Sequence, residues 1–109
     1  MEIIRTKTFS KDFARVGATS EDYEALITEL IENPESGDRI QGMKGVRKIR
    51  FALKSRNIGK CGGGRAIYLV MMIRQTIVLL KAYAKNEQTD LSLRQRKEIL
   101  HFLEDFDHG

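Results

Sequence analysis

Apolar residues recur at helical spacing in the first third of the chain. Ser10 is positioned to cap a short helix of about two turns, and Gly17 to end it. Ser20 is positioned to cap a second helix, which Pro34 ends. One buried face of that second helix is expected to carry Tyr23, Leu26, Ile27, Leu30 and Ile31.

Between this region and the C-terminus, the apolar pattern becomes that of strands. Residues 46–53 roughly alternate, as a half-buried strand does. Residues 65–73 and 76–84 are almost continuously apolar, which is typical of central strands covered on at least one face. Residues 1–8 are expected to form an opening strand. Ser92 is positioned to cap a last helix, with an inward face formed by Ile99, Leu103 and Phe106.

The order strand, two helices, three strands and a helix, with short links, predicts the α+β class. We expect a single domain over residues 1–109. It would contain an antiparallel sheet of about four strands, an N-terminal helical hairpin and a C-terminal helix.

Composition narrows the class of protein. With 41% hydrophobic and 31% charged residues among 109, the chain has the composition of a globular domain. Its longest apolar run, residues 66–73, is too short to span a membrane, and the N-terminus lacks a signal-peptide stretch. A single cysteine excludes an internal disulfide and an all-cysteine metal site. We therefore expect a cytoplasmic protein without metal or cofactor.

Charge is distributed unevenly along the chain. Residues 44–85 contain no Asp or Glu, whereas residues 1–43 and 86–109 are both net acidic. A carboxylate-free segment of this length creates a positive field that attracts polyanions. The alternative is that its cations neutralise the acidic helices. The segment contains eleven cations: Lys44, Arg47, Lys48, Arg50, Lys54, Arg56, Lys60, Arg65, Arg74, Lys81 and Lys85.

Three of these cations are expected to meet on the sheet. Lys48 and Arg50 share one face of a strand, and antiparallel pairing would bring Arg65 beside them. Such a cluster favours a bridging anion, for example a phosphate held by the guanidinium fork. The alternative is a solvated strand face. The neighbouring glycines would either let backbone amides approach the phosphate or form a flexible hairpin connection: Gly59, Gly62, Gly63 and Gly64.

Tyr83 and Lys85 share a face at the end of the last strand. An aromatic ring can stack on an unpaired base while a cation holds the RNA backbone. The alternative for Tyr83 is a half-buried strand aromatic. For Glu87 the alternative to a functional role is a cap or an ion pair with a nearby lysine.

Three runs resemble the RelE/HigB superfamily of type II toxins, in particular its HigB-like branch. They are Gly-Val-Arg-Lys-Ile-Arg-Phe-Ala at 45–52, Gly-Lys-Cys-Gly-Gly-Gly-Arg-Ala-Ile-Tyr at 59–68, and Tyr-Ala-Lys-Asn-Glu at 83–87. The resemblance covers nearly the whole chain. It implies a RelE/ParE-like fold and a ribosome-dependent, metal-independent mRNA endoribonuclease that inhibits translation.

The resemblance also implies positions for the site. The family's basic strand pair corresponds to Lys48 and Arg50, its strand-opening arginine to Arg65, and its last-strand cation to Lys85. Lys60 matches the loop lysine of the HigB-like branch. Asn86 stands where some relatives carry arginine, and no C-terminal tyrosine corresponds to the one that some use. The general acid and general base therefore stay unassigned.

The expected chemistry separates five catalytic residues from three residues that bind RNA phosphates. Metal-free cleavage uses the 2′-hydroxyl of the RNA as nucleophile, so the protein stabilises charge and moves protons. Arg50 and Arg65 are expected to stabilise charge, Lys48 or Lys85 to exchange a proton, and Tyr83 to stack a base or act as the acid. Three further cations are expected to bind RNA phosphates: Lys54, Arg56 and Lys60.

The implied partners are the ribosome, mRNA and a cognate antitoxin that is HigA-like and DNA-binding, in a toxin–antitoxin hetero-oligomer, with no membrane. Two other classes stay open: a ParE-like inhibitor of DNA gyrase, and a non-catalytic nucleic-acid-binding module. The aromatic content of 7% argues against an aromatic stacking platform and therefore against the last class.

Overall fold

The computed structural model describes residues 1–108, with side chains as far as Phe106, and this part of the chain contains five strands and three α-helices. A 3₁₀ turn, Lys54–Arg56, follows the third strand. In chain order the elements are β1 (Glu2–Arg5), α1 (Lys7–Arg15), α2 (Ser20–Glu32), β2 (Asp38–Arg39), β3 (Arg47–Phe51), β4 (Gly64–Met71), β5 (Thr76–Ala84) and α3 (Leu93–His108).

The strands form one sheet in the order β1-β5-β4-β3-β2. The α+β class is confirmed, but the four-stranded antiparallel sheet is wrong in two respects. The link between α2 and β3 contains the short strand β2, which pairs with β3. β1 pairs with β5 in parallel, whereas the other pairs are antiparallel.

The predicted helical hairpin also differs in detail. β1 precedes both helices, and α1 packs against β5. The two helices meet through aromatic contacts, in which the Phe13 and Tyr23 rings lie edge to face with centroids 5.9 Å apart. α1 and α2 therefore form a crossover on one face of the sheet rather than an independent hairpin.

The first two helices begin earlier than their serines suggest. Thr6 caps α1 by accepting a hydrogen bond from Phe9 N (3.1 Å). Thr19 caps α2 in a capping box with Asp22. Threonine supplies the same hydroxyl acceptor as serine, so propensity alone does not choose between the two positions. Ser92 is confirmed as the cap of α3, since its Oγ accepts from Gln95 N at 3.1 Å.

Apolar side chains cover the sheet on both faces. On one face, α1 and α2 contribute Phe9, Phe13, Leu26 and Leu30. On the other face, α3 contributes Ile99 and Leu103. Burial on both sides explains why β4 and β5 are almost continuously apolar. Ile31, the last residue of the predicted inward face of α2, is instead exposed.

One extra residue in β5 decides which side chains face which helix. Pairing between β4 and β5 shifts after Ile67, which leaves Leu80 without a partner as a β-bulge. Val78 before the bulge, Leu80 at the bulge and Tyr83 after it all lie in the core beneath α3. A shift of one residue moves every later side chain to the opposite face. Without the bulge, Tyr83 would therefore face α1 and α2.

Asp12 of α1 holds this bulge in place. Its carboxylate accepts a hydrogen bond from Ala82 N at 3.1 Å and lies 3.1 Å from Lys81 Nζ. It also pairs with Arg15 one turn further along the helix. Asp12 is only 4% exposed. A buried carboxylate needs such partners, because burial removes the water that would otherwise stabilise its charge.

We predict that Asp12→Ala lowers the free energy of unfolding by about 3–5 kcal/mol, because it leaves the largely buried Lys81 ammonium without a counter-ion. Urea unfolding followed by circular dichroism measures the change. The matched control is Glu24→Ala, which removes the same charge from an exposed position on α2 and should change stability by less than about 0.5 kcal/mol. Equal effects of the two substitutions would contradict the role of Asp12.

Candidate functional site

Side chains of three strands lie side by side at one end of the sheet. Arg50 of β3 is opposite Arg65 of β4, and Arg65 is opposite Tyr83 of β5. Cross-strand partners point to the same face, and Tyr83 belongs to the core beneath α3. Lys48 lies two residues before Arg50, and Lys85 lies two residues after Tyr83. We call these five residues the basic row: Lys48, Arg50, Arg65, Tyr83 and Lys85.

Arg65 is the buried centre of the basic row, at 8% exposure. Its guanidinium donates hydrogen bonds to the carbonyls of Lys60 (3.3 Å), Cys61 (3.2 Å) and Gly64 (2.9 Å). These bonds satisfy a buried cation through peptide dipoles rather than through a carboxylate. Arg65 therefore holds the loop between the 3₁₀ turn and β4, with much of its donor capacity already used.

Two glycines of this loop are required by close packing. A Cβ on Gly63 would lie 2.3 Å from the carbonyl oxygen of Phe51, and one on Gly64 would lie 2.3 Å from the Phe51 ring. Gly59 has open space around it. The requirement for glycine at 63 and 64 therefore comes from the approach of the loop to β3, and both alternatives drawn from the sequence missed this reason.

Tyr83 is 0% exposed. Its hydroxyl donates to the carbonyl of Thr89 at 3.3 Å, in the link between β5 and α3. Burial, reinforced by the nearby Asp90 carboxylate, raises the pKa of Tyr83 to about 12. A ring buried in this way presents no face on which a base could stack. Its hydroxyl is protonated at neutral pH and anchors the link to α3.

The remaining cations of the basic row reach solvent. The Lys48 ammonium lies 2.8 Å from Asp90 Oδ1. Arg50 is exposed, and its guanidinium lies 4.0 Å from the Cys61 sulfur. Lys85 is exposed as well. Among the side chains described, those of residues 1–106, neither Arg50 nor Lys85 forms an ion pair, so both are available to an incoming anion.

The three predicted phosphate-binding cations are divided between two surfaces. Arg56 donates to the carbonyl of Val16 at 3.4 Å, and the backbone N–H of Lys54 donates to Asp22, so both lie at the corner between α1 and α2. Lys60 pairs with Glu29 of α2 at 2.9 Å.

Lys60 nevertheless lines a cleft of 180 Å³ together with Lys48 and Arg50. Lys60 also lines a second cleft, of 410 Å³, together with Lys54 and residues of α2. The structure thus brings Lys60 to the rim of the basic row, whereas Lys54 reaches only the second cleft and Arg56 lies at the corner beside Val16.

Sequence reasoning missed two charged residues at this site. Asp90 precedes α3 and pairs with Lys48, which holds the pKa of the Asp90 carboxyl below its usual range. Arg96, on α3, acts electrostatically on both Asp90 and Tyr83. Asp90 lies two residues before the Ser92 cap, and this spacing is the signal that could have placed its carboxylate near the end of β5.

The described residues contain no group of three or more His, Cys, Asp or Glu side chains that could hold a metal ion. Over the same residues, no helix is both long enough and apolar enough to cross a membrane. What the basic row offers is a set of cations, two of them exposed, beside a loop that Arg65 holds through hydrogen bonds. Such a set can bind and polarise a phosphate group.

We predict that the difference between alkaline absorbance titrations of the wild type and Tyr83→Phe, followed at 295 nm, has a midpoint of about 12. Because the raised pKa favours the protonated hydroxyl in the folded state, ionisation of Tyr83 lowers stability only as the pH rises from about 10 towards 12, and it adds no pH dependence below that window. A midpoint near 10 would contradict the burial of the hydroxyl.

No protein-family model matches the sequence. The fold is similar to that of the isolated Escherichia coli RelE toxin, with 18% identity, a TM-score of 0.55, and coverage of 93% of this chain and 97% of that chain. A double arginine-to-alanine variant of that toxin in the free state gives 19% identity, a TM-score of 0.57, and coverage of 80% and 85%.

The solution structure of conserved hypothetical protein HP0892 from Helicobacter pylori is also similar. It gives 19% identity, a TM-score of 0.52, and coverage of 80% of this chain and 97% of that chain. All three likenesses cover most of both chains. The chain therefore has the RelE-like fold.

Proposed function

We propose that this chain is the toxin of a type II toxin–antitoxin pair, and that it cleaves mRNA on the ribosome in the manner of the HigB-like branch. The observation that carries the proposal is the basic row. Arg50 and Lys85 are exposed on either side of the buried Arg65, at the end of a RelE-like sheet. A polyanion is the partner that such a surface favours.

The proposed reaction needs no protein nucleophile. The 2′-oxygen of the RNA attacks the adjacent phosphorus and gives its proton to a base, while the bond from phosphorus to the 5′-oxygen breaks and that oxygen receives a proton. The products are a 2′,3′-cyclic phosphate and a 5′-hydroxyl. The protein aligns these atoms and stabilises the additional negative charge on the phosphoryl oxygens.

We assign the roles of Arg65 and Tyr83 differently from the sequence-based expectation. Arg50 is exposed and is assigned to charge stabilisation, with Lys48 or Lys85 exchanging protons. Arg65 becomes a positioning residue, because its guanidinium is bonded to loop carbonyls. Tyr83 anchors the link to α3 through its hydroxyl.

Two partners follow from the proposal. The ribosome would present the mRNA to a small site that has few groups with which to orient it. A DNA-binding, HigA-like antitoxin would neutralise the toxin in a hetero-oligomer. Both neighbours from Escherichia coli are named toxins, which supports this assignment. The site of action would be the cytoplasm, where translation takes place.

We predict that Arg50→Ala lowers the rate of mRNA cleavage by about 10²–10³-fold, because it removes a preorganised donor to the developing charge. Cells induced for the protein are assayed by mapping mRNA 5′-ends, with and without an inhibitor of translation initiation. The wild type should produce codon-phased cuts only when translation is active.

The matched control is Arg74→Ala. It removes an exposed arginine of the same carboxylate-free segment, at the β4–β5 turn, ~25 Å along the strands from Arg65. This variant should cut mRNA like the wild type. Equal activity of Arg50→Ala and the wild type would refute the role of the basic row. Intact mRNA together with loss of DNA supercoiling would instead identify a gyrase inhibitor.

A further inference from the structure

One cation of the basic row, Lys48, forms an ion pair with a carboxylate of the same chain, that of Asp90. Asp90 Oδ1 lies 2.8 Å from Lys48 Nζ, with the Asp90 side chain 64% exposed and that of Lys48 28% exposed. The pair joins the link between β5 and α3 to strand β3 across the sheet. Lys48 also lines the cleft that contains Arg50 and Lys60. Asp90 itself does not line this cleft, but its carboxylate holds the ammonium of a residue that does.

The position of Asp90 does not depend on its own carboxylate. The carbonyl of Asp90 accepts a hydrogen bond from Gln88 Nε2 at 2.8 Å, and the same amide group donates to Gln95 Oε1 of α3 at 2.7 Å. The preceding carbonyl, of Thr89, accepts from the buried Tyr83 hydroxyl. Side chains of Tyr83 and Gln88 therefore hold the backbone of this link. The Asp90 carboxylate can exchange partners without unfolding the link.

We propose that Asp90 is an internal substitute for an RNA phosphate, which the substrate must displace from Lys48. This inference rests on the proposed function, since it names a regulation of the same site. Carboxylate and phosphodiester oxygens are both anionic acceptors and compete for the same ammonium. An exposed ion pair is weak, so the exchange is inexpensive once another force positions the RNA. A polyanion that is attracted only by charge must also displace Asp90 from Lys48, and it therefore binds less tightly than it would to a free ammonium.

Asp38 provides a matched control for this competition. It lies directly opposite Lys48 in the β2–β3 register and lines the same cleft. Within residues 1–108, Lys48 forms its ion pair with Asp90 and not with Asp38. Asp38→Asn and Asp90→Asn therefore remove equal charge near the same ammonium, and only the second removes its bonded partner.

The experiment measures binding of a fluorescent single-stranded RNA oligonucleotide with 2′-O-methyl riboses, which block cleavage, by fluorescence anisotropy. Asp90→Asn should bind about two- to five-fold more tightly than the wild type, as expected from the strength of an exposed ion pair. Asp38→Asn should produce a smaller gain. In a Lys48→Met background, Asp90→Asn should gain no more than Asp38→Asn does, because the competition requires the ammonium.

Unchanged or weaker binding by Asp90→Asn would overturn the proposal, as would an equal gain in the presence and absence of Lys48. Cleavage on translating ribosomes is measured in parallel with the wild type. If the wild type cleaves mRNA but Asp90→Asn gives one of these two binding results, Asp90 has no such role and the proposed function still stands. A wild type that neither binds the RNA nor cleaves mRNA overturns both.

Discussion

The hydrogen bond from Ala82 N to Asp12, together with the Lys81–Asp12 ion pair, fixes the β-bulge on which the candidate site depends. The bulge turns Tyr83 to the face beneath α3, beside Arg65. Tyr83 then holds the link that carries Asp90. A carboxylate on α1, on the opposite side of the sheet, thus determines that Tyr83 joins the cations of β3 and β4 in the basic row.

Local patterns predicted much of the fold. The bounds of β5 follow from its apolar run, and the cap of α3 follows from Ser92. The pairing of Arg50 with Arg65 follows from alternation along antiparallel strands. The parallel pairing of β1 could not be predicted in this way, because it depends on where a two-helix crossover returns the chain. The bulge could not be predicted either. A bulge shows in a sequence as a break in the alternation of apolar and polar residues, and β5 is apolar on both faces, so it has no such alternation.

The sequence predicted that the site is positively charged, but it did not predict which of its cations are paired and which are exposed. Flanking acidic residues neutralise some cations of the carboxylate-free segment, as the alternative expected, and leave others exposed. Lys60 pairs with Glu29, and Lys81 with Asp12. Arg65 is satisfied by loop carbonyls, a solution that depends on the loop's path and so has no signature in composition. Arg50 and Lys85 are the members of the basic row that stay exposed and form no ion pair with any side chain described as far as Phe106.

The central claim is that RNA binds at the exposed end of the sheet, where Arg50 and Lys85 lie. Nuclear magnetic resonance shift mapping with the 2′-O-methyl oligonucleotide tests it most directly, because it reports every backbone amide without substitution. We predict shifts concentrated at residues 48–50, 60–65 and 85–90. Shifts centred on the β4–β5 turn at residues 72–75, or spread evenly over all lysines and arginines, would contradict it.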